Sequence, residues 1–311
     1  MTDNKHIIYE ALQNLPRFAG ASPDSYKRTR LGGLTNLVYR VETDDETLIV
    51  RIPGAGTDAY IDRKIELHNA RAADHAGISA KVLWADGDTG VMISQSLDPI
   101  TTMTPALFQS RAGAAARAGK ALAGLHNSGE TFQFRFELFT MITEYLAILA
   151  TRDTALPDGY HDIVRAAEPV KQVLVDNPTP LAPCHCDPLC ENFLDDGTRM
   201  WIVDWEYSGM NDPLWDLGDL SVEAGFDDAQ DMDMLRAYYG RAPSAAEVGR
   251  MVIYKAMCDL LWTLWGLIQH ADGNEAEDFW AYSVGRFERC KTLMQSAEFA
   301  SHLTAIGASS D

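Results

Sequence analysis

The pattern of apolar residues changes from strand-like to helical near residue 100, and this change constrains the fold more than any other feature. Before it, stretches 37–41 and 48–52 are rich in β-branched and aromatic residues and flank the turn signal Asp44-Asp45, which predicts a hairpin. The apolar pattern also predicts a helix over 60–76 and short strands over 81–84 and 91–95. The first 97 residues are therefore predicted to be rich in sheet, with one main helix.

From Thr104 onward the periodicity predicts helices. Pro105 suits the first helical turn after Thr104, and the alanine-rich stretch 112–126 has a high helix propensity. Further helices are predicted over 139–151, 160–177, 229–239, 245–269 and 276–296. Between them, 180–219 is predicted to form strands and loops. The chain thus divides into a sheet-rich unit, 1–97, and a mainly helical unit, 98–311, which together make an α+β protein.

The charge and hydropathy of the chain exclude several classes of function. Of 311 residues, 45 are acidic and 26 basic, which gives a formal net charge of −19, and 46% are hydrophobic. A packed core is expected, and nucleic-acid binding is not, because it needs a basic surface. We expect no membrane span, since the strongest apolar run, 260–268, is about half the length that a bilayer requires. The first residues lack the features of a secretory signal, so we expect a cytoplasmic protein.

Three of the five cysteines surround His185, and such a group could bind a metal. However, the spacing of Cys184, Cys186 and Cys190 matches no common zinc pattern. An odd number of cysteines in a long chain without a signal also argues against a disulfide framework. We therefore expect reduced thiols that pack in the core.

The segment 184–206 contains the richest set of chemical groups. Asp187 and Asn192 precede a short apolar strand, a turn at Asp196-Gly197 follows, and a second apolar strand ends at Asp204. Such a hairpin brings Asp187, Asn192 and Asp204 to one end, where Asn192 and Asp204 could offer oxygen ligands to Mg²⁺. Asp187 would then orient or deprotonate a hydroxyl group. Taken singly, each of these residues is also an ordinary turn or cap residue.

The spacing His-x-Asp-x-x-x-x-Asn, followed by a hydrophobic strand and Asp, resembles the catalytic and metal-binding loops of kinase-like phosphotransferases. The longer string over 202–218, IVDWEYSGMNDPLWDLG, closely resembles the choline/ethanolamine kinase family. This resemblance implies a bilobal, protein kinase-like fold, with a sheet-rich N-lobe over 1–97 and a mainly helical C-lobe over 98–311. It also implies that ATP and Mg²⁺ bind in the cleft between the lobes.

The resemblance assigns roles to the residues of the hairpin. Asp187 becomes the catalytic base that contacts the acceptor hydroxyl, and Asn192 and Asp204 become ligands of Mg²⁺. Glu206 is implied as a further metal or water contact. Asp216 is implied to brace the catalytic loop by accepting hydrogen bonds from its backbone.

In the N-lobe, the resemblance points to a loop and an ion pair that bind the nucleotide. The loop residues Gly33, Leu34, Thr35 and Asn36 are predicted to approach the phosphates, although a Gly-Gly turn is usually only a turn. Arg51 takes the place of the phosphate-binding lysine of kinases, and Glu66 is its candidate partner. The alternative for Glu66 is a solvated helix face. The segment from Gln95 to Leu97 is expected to form the hinge whose backbone contacts adenine.

The acceptor is predicted from two tryptophans and an acid. Trp262 and Trp265 are three residues apart on one helix face, which periodicity alone would assign to the core. Choline kinases place a similar Trp-x-x-Trp pair against the choline headgroup, so the resemblance favours an aromatic wall for a quaternary ammonium. It also implies that Glu223 balances the charge of the trimethylammonium group.

The sequence therefore predicts an ATP- and Mg²⁺-dependent kinase that phosphorylates the hydroxyl of choline to give phosphocholine and ADP. One alternative keeps the chemistry and changes the acceptor to ethanolamine, another amino alcohol, thiamine or an aminoglycoside. A second alternative is a pseudokinase-type module that binds ligands without turnover. The sequence leaves the oligomeric state open between a monomer and a homodimer.

Overall fold

The strand-rich part of the chain forms one antiparallel sheet. The structure, a computed structural model, describes residues 4–32, 36–54, 57 and 61–308. The sheet has five strands in the order β1-β2-β3-β5-β4. They are β1 (Lys27–Arg30), β2 (Leu37–Glu42), β3 (Thr47–Ile52), β4 (Val82–Ala85) and β5 (Met92–Gln95). The predicted hairpin is confirmed, since Glu42 pairs with Thr47 across the turn that contains Asp44 and Asp45.

Two helices flank this sheet. The first, α1 (Lys5–Gln13), was not predicted, and its apolar side joins the core of the sheet through Ile8 and Leu12. The second, α2 (Arg63–His75), begins after Asp62, whose side chain accepts hydrogen bonds from the first turn and acts as an N-cap. One face of α2 is buried and includes Glu66 and Asn69.

The chain passes to the helical part between β5 and β6 (Thr101–Thr102), because β6 pairs with a strand of the second unit instead of with the N-terminal sheet. The helices of this part are α3 (Pro105–Ser110), α4 (Ala114–His126), α5 (Leu138–Leu149), α6 (Tyr160–Ala166), α7 (Glu168–Asp176), α8 (Leu214–Ala224), α9 (Asp228–Tyr239), α10 (Ala245–Ala271), α11 (Phe279–Met294) and α12 (Ala297–Gly307). The helix predicted over 160–177 is interrupted at Ala167, where α6 ends and α7 begins with Pro169 in its first turn.

Two short sheets support the loops between these helices. They contain β7 (Ala182–Cys184) paired with β10 (Gly209–Asn211), and β8 (Phe193–Asp195) between β6 and β9 (Met200–Ile202). The β8–β9 hairpin predicted from Asp196-Gly197 is confirmed, with Gly197 in the left-handed region at φ 92°. The prediction that 180–219 holds only strands and loops was wrong, because α8 begins at Leu214.

The centre of the helical part is α10, which packs against α5, α8, α11 and α12. Its N-terminus is fixed by a capping box, in which Ser244 and Glu247 satisfy each other's backbone nitrogens. Among the described residues, α10 is also the one helix with the length and apolar composition to cross a bilayer. Its apolar window is 83% buried inside the protein, as in the core helix of a globular protein.

Candidate active site

The loop between β7 and β8 carries Asp187, and α8 holds this loop in place. Asp216 on α8 is fully buried and accepts hydrogen bonds from the backbone nitrogens of His185, at 2.7 Å, and Cys186, at 2.8 Å. The indole of Trp215 donates to the backbone oxygen of Cys186 at 3.0 Å. Cys186 adopts φ 67°, which is unusual for a residue with a Cβ atom. The brace expected from Asp216 is therefore present, and it fixes the backbone immediately before Asp187.

Histidines complete the support of this loop. Nε2 of His126 lies 3.0 Å from Oδ2 of Asp216, and Nδ1 lies 3.0 Å from the hydroxyl of Tyr238. Because a carboxylate only accepts, Nε2 of His126 carries a hydrogen and donates it to Asp216. His185 contacts the backbone oxygen of Val203 at 2.9 Å through Nε2. Both imidazoles thus support the loop and its neighbours.

Asn192 closes the catalytic loop and connects it to the next strand. Its Nδ2 donates to the backbone oxygen of Asp187 at 3.1 Å, and its own backbone oxygen accepts from Val203 at 3.0 Å. Since Nδ2 is used inside the loop, Oδ1 is the atom of Asn192 that can serve a cation. The loop therefore brings Asn192 next to the residue that precedes Asp204.

Three acidic side chains meet beyond the end of β9. Carboxylate oxygens of Glu66, Asp204 and Glu206 lie within 4.8 Å of one another. Asn36 donates from Nδ2 to Asp204, at 3.2 Å, and to Glu206, at 3.2 Å. Oδ1 of Asn36 is buried and receives no hydrogen bond from the described residues. An oxygen-only donor set with an unpartnered buried oxygen fits a hard divalent cation such as Mg²⁺.

Two arginines compensate the charge of this acid cluster. Arg51 forms ion pairs with Glu66 and, at 3.1 Å, with Asp204. Arg63 on α2 contacts Glu66 at 2.9 Å and Glu206 at 3.4 Å. Glu66 is only 2% exposed, so the alternative of a solvated helix face is wrong. Glu66 thus contacts both arginines, and Asp204 and Glu206 each contact one of them as well.

Burial changes the ionisation of the acids in the cleft. It raises the pKa of Glu206 to about 7, with a further contribution from Asp204 and an opposing one from Arg51. Burial also raises the pKa of Asp187 well above its ordinary value, and the carboxylates of Asp219 and Glu223 act in the same direction. Burial and mutual repulsion thus oppose the ionisation of these acids, and a nearby cation would favour their ionised forms.

The nucleotide side of the cleft is described in part. Gly33, Leu34 and Thr35 lie outside the described residues. Gln95 ends β5, and its backbone nitrogen donates to the oxygen of Lys81 at 2.9 Å, so this nitrogen is already used within the protein. Leu97 follows in the connection between β5 and β6.

The two predicted tryptophans lie on α10 and are joined by a tyrosine that the sequence analysis missed. The indole nitrogen of Trp265 donates to the hydroxyl of Tyr207 at 3.0 Å, and the ring of Tyr207 meets that of Trp262 edge-on at 5.7 Å. Tyr282 on α11 meets the ring of Trp265 at 5.9 Å. We call Tyr207, Trp262, Trp265 and Tyr282 the aromatic cluster. Its only signal in the sequence was that Tyr207 directly follows Glu206.

Glu223 reaches this region but is already paired. Its carboxylate forms an ion pair with Arg286, which also contacts Asp259 at 3.1 Å and lies over the ring of Tyr282 at 4.6 Å. Arg286 is 4% exposed, so this pair is shielded from solvent. The sequence analysis placed Glu223 near the acceptor but did not identify the arginine that neutralises it.

A family model and the curated relatives assign the chain to the same group of enzymes. The model of a phosphotransferase enzyme family matches residues 28–248. Among curated relatives, protein LicA of Haemophilus influenzae is 26% identical, over 85% of this chain and 79% of that protein. Ethanolamine kinase 2 of Rattus norvegicus is 25% identical, over 83% of this chain and 73% of that protein.

Solved structures agree with this result. A choline/ethanolamine kinase family protein from Mesorhizobium loti is 54% identical, covers 98% of this chain and 99% of its own, and has a TM-score of 0.88. Choline kinase LicA from Streptococcus pneumoniae is 26% identical, with coverages of 93% and 98% and a TM-score of 0.77. An aminoglycoside phosphotransferase, APH(4)-Ia, is 15% identical with a TM-score of 0.64, a likeness of fold alone.

Proposed function

Because the chain belongs to the phosphotransferase enzyme family, in its choline/ethanolamine kinase branch, we propose that it transfers the γ-phosphoryl group of ATP to the hydroxyl of choline. The enzyme is a phosphotransferase with an alcohol as acceptor, and its fold is the bilobal, kinase-like fold of the family. An amino alcohol is the acceptor class that the named relatives support. We propose that the reaction takes place in the cytoplasm, where ATP is supplied.

The observation that carries the choice of choline is the aromatic cluster beside the anionic base. Tyr207 joins the indoles of Trp262 and Trp265, and such rings attract an ammonium group by about 0.5–2 kcal/mol each. The acidic groups around Asp187 add electrostatic attraction for a cation. An uncharged sugar would gain neither the cation–π attraction nor the attraction of the carboxylates.

Asp187 is the proposed catalytic base. Burial and the surrounding carboxylates raise its pKa. A positively charged acceptor offsets those negative charges, which favours the ionised form of Asp187 that can accept the hydroxyl proton. General base assistance contributes about 10²- to 10⁴-fold, and positioning of the phosphates supplies most of the remaining acceleration.

We assign the binding of Mg²⁺ to Asn192 and Asp204, with Glu206 as a further contact, because these residues combine oxygen donors with a buried, anionic setting. When bound, Mg²⁺ neutralises charge on the phosphates during transfer. Arg51 is proposed to bind phosphate, held by Glu66. We keep the boundary proposed from the sequence, with a nucleotide lobe over 1–97 and an acceptor lobe over 98–311. In the nucleotide lobe, the proposed phosphate contacts are Gly33, Leu34, Thr35 and Asn36. The proposed adenine contacts are the residues from Gln95 to Leu97.

Ethanolamine is the second candidate acceptor. The relative from Rattus norvegicus is named as an ethanolamine kinase, and a primary ammonium offers hydrogen-bond donors that a trimethylammonium lacks. The chemistry on the hydroxyl is identical for both acceptors. Only a comparison of turnover can rank them.

The test is ADP release from ATP in the presence of Mg²⁺, measured with choline, dimethylethanolamine, ethanolamine, thiamine and kanamycin. We expect the highest kcat/KM with choline and loss of turnover in Asp187→Asn. Trp262→Leu is expected to raise the KM for choline by about tenfold with little change in the KM for ATP. Trp280→Phe, on the exposed side of α11, is the matched control and should behave as the wild type.

Two results would reject the proposal. Turnover with kanamycin or thiamine but not with amino alcohols would show that the aromatic cluster was misinterpreted. Absence of ADP release with every acceptor would favour the pseudokinase alternative.

A further inference from the structure

We propose that Asp219, a buried residue of α8, is the carboxylate that balances the positive charge of the acceptor, and that Glu223 does not have this role. The inference rests on the proposed function, because it names the residue that recognises the ammonium group of the same acceptor. Sequence analysis had assigned this role to Glu223. The contacts of the two acids reverse the assignment.

The charge of Glu223 is already compensated inside the protein. Arg286 binds Glu223 and reaches Asp259 at 3.1 Å. Arg289 adds a second cation to Asp259, at 2.6 Å. Two carboxylates thus face two guanidinium groups, and no net negative charge remains for a ligand. A cation that approached Glu223 would have to displace a buried arginine.

Asp219 has no such partner among the described residues. It is 1% exposed, and Oδ2 accepts a hydrogen bond from the neutral indole nitrogen of Trp262 at 3.0 Å. Oδ1 is buried and receives no hydrogen bond from the described part of the chain. The neutral thiol of Cys258 lies close enough to oppose the rise that burial causes in the pKa of Asp219, and it also donates to the backbone oxygen of Lys255 at 3.2 Å. An isolated buried carboxylate is costly unless a cation accompanies it.

The position of Asp219 suits the acceptor. Its partner Trp262 meets Tyr207 in the aromatic cluster, so one indole contacts both the carboxylate and the proposed binding wall. Burial raises the pKa of Asp187 most, and the charge of Asp219 is the next largest cause, which indicates that the two acids are neighbours. Only two carbon atoms separate nitrogen from oxygen in an amino alcohol. A base at the hydroxyl and a counter-ion at the ammonium must therefore be close to each other.

The hydrogen bond from Trp262 to Asp219 connects the aromatic ring and the carboxylate that are proposed to bind the ammonium group. A cation beside this indole is attracted by the π-system and by the carboxylate that orients the ring. Arg286 partly offsets the charge of Asp219, but its bonds go to Glu223 and Asp259. The partner that is missing from Asp219 is therefore supplied by the acceptor.

The substitution Asp219→Asn removes the negative charge of the side chain and keeps its shape. The amide oxygen of asparagine can still accept the hydrogen bond from Trp262, so the indole keeps its support. Turnover is measured with choline and with 3,3-dimethyl-1-butanol, which has the same shape as choline but no charge. We expect kcat/KM for choline to fall at least about tenfold, with a much smaller change for the neutral alcohol and for the KM of ATP. Glu223→Gln is expected to keep most of the preference for choline.

Two measurements separate recognition from folding. Asp219→Asn should have a melting temperature at or above that of the wild type, because it removes a buried carboxylate whose charge is only partly offset inside the protein. Asp231→Asn is the matched control: Asp231 is also buried, bonds to Ser221 of α8 and pairs with Lys255 at 2.7 Å. It should lower the melting temperature and leave the preference for choline over 3,3-dimethyl-1-butanol unchanged.

The inference is overturned if Asp219→Asn keeps the wild-type preference for choline, or if Glu223→Gln abolishes that preference. If the wild type phosphorylates ethanolamine but not choline, the same variants are compared on ethanolamine and 1-propanol. The choline assignment then fails while Asp219 is still tested. Inactivity towards every amino alcohol overturns both proposals.

Discussion

Replacing Asp216 with asparagine tests how the catalytic loop is held. The carboxylate receives two backbone hydrogen bonds, at 2.7 and 2.8 Å, and a third from His126 at 3.0 Å. A hydrogen bond to a charged group contributes about 1.5–3 kcal/mol. Asparagine offers one oxygen and an NH₂ group, so at least one donor in the loop would face another donor. We expect Asp216→Asn to lose about 2–4 kcal/mol in the free energy of unfolding.

The same change should reduce catalysis more than binding. The two backbone bonds maintain the left-handed conformation of Cys186, and Asp187 is the next residue. A shift of about 1 Å in a catalytic group can lower the rate by about 10²-fold. We therefore expect kcat to fall by about that factor, while the KM for ATP changes little because the acid cluster and its arginines lie on other elements.

Urea unfolding and ADP release measure these two effects on the same preparations. His126→Phe is the matched control, since it removes one of the three bonds and leaves both backbone bonds in place. It should cost about 1–2 kcal/mol and retain most of kcat. The reasoning is refuted if Asp216→Asn loses less than about 1 kcal/mol and keeps the wild-type kcat.

Three further substitutions test the packing and the electrostatics of the helical part. Gly119→Ala on α4 would place a Cβ atom 2.3 Å from the backbone oxygen of Met234, and we expect urea unfolding to show a loss of about 2–3 kcal/mol. Gly285→Ala on α11 meets no atom within 4 Å and should gain about 0.5–1 kcal/mol; a loss would contradict this. Burial alone would raise the pKa of Asp195, but the hydrogen bonds from Arg117 and from the backbone of Gly197, together with the charges of Arg117 and Arg111, outweigh it and hold the pKa below 3.8. This stabilisation is present above that pH and is lost as the pH falls. Arg117→Gln should make the unfolding free energy fall less steeply in acid, and equal slopes for both proteins would refute the assignment.

Local signals in the sequence predicted much of the fold. The turn at Asp196-Gly197 fixes a hairpin because glycine adopts positive φ freely, and the apolar periodicity of α10 is long enough to identify a helix without doubt about its type. The motif spacing around Asp187 and Asp204 also depends on local sequence. Such features need no knowledge of distant contacts.

The missed features depend on tertiary contacts. The first residues of α8, 214–219, were assigned to strands and loops, yet Asp216 and Asp219 are buried there and bind the catalytic loop and Trp262. The partner of Glu223 lies 63 residues away, on another helix, and no periodicity connects the two positions. Interactions of this kind become visible only once helices α8, α10 and α11 are packed together.

The burial of α10 restricts how this enzyme could evolve a new acceptor. The helix that carries Trp262 and Trp265 is also the element on which four other helices pack, so most changes along it alter the core as well as the site. Tyr207 lies on a loop and is half-buried, and Tyr282 lies on α11 beside Trp265. Natural or laboratory selection for another acceptor should therefore alter these two tyrosines first and leave both tryptophans unchanged.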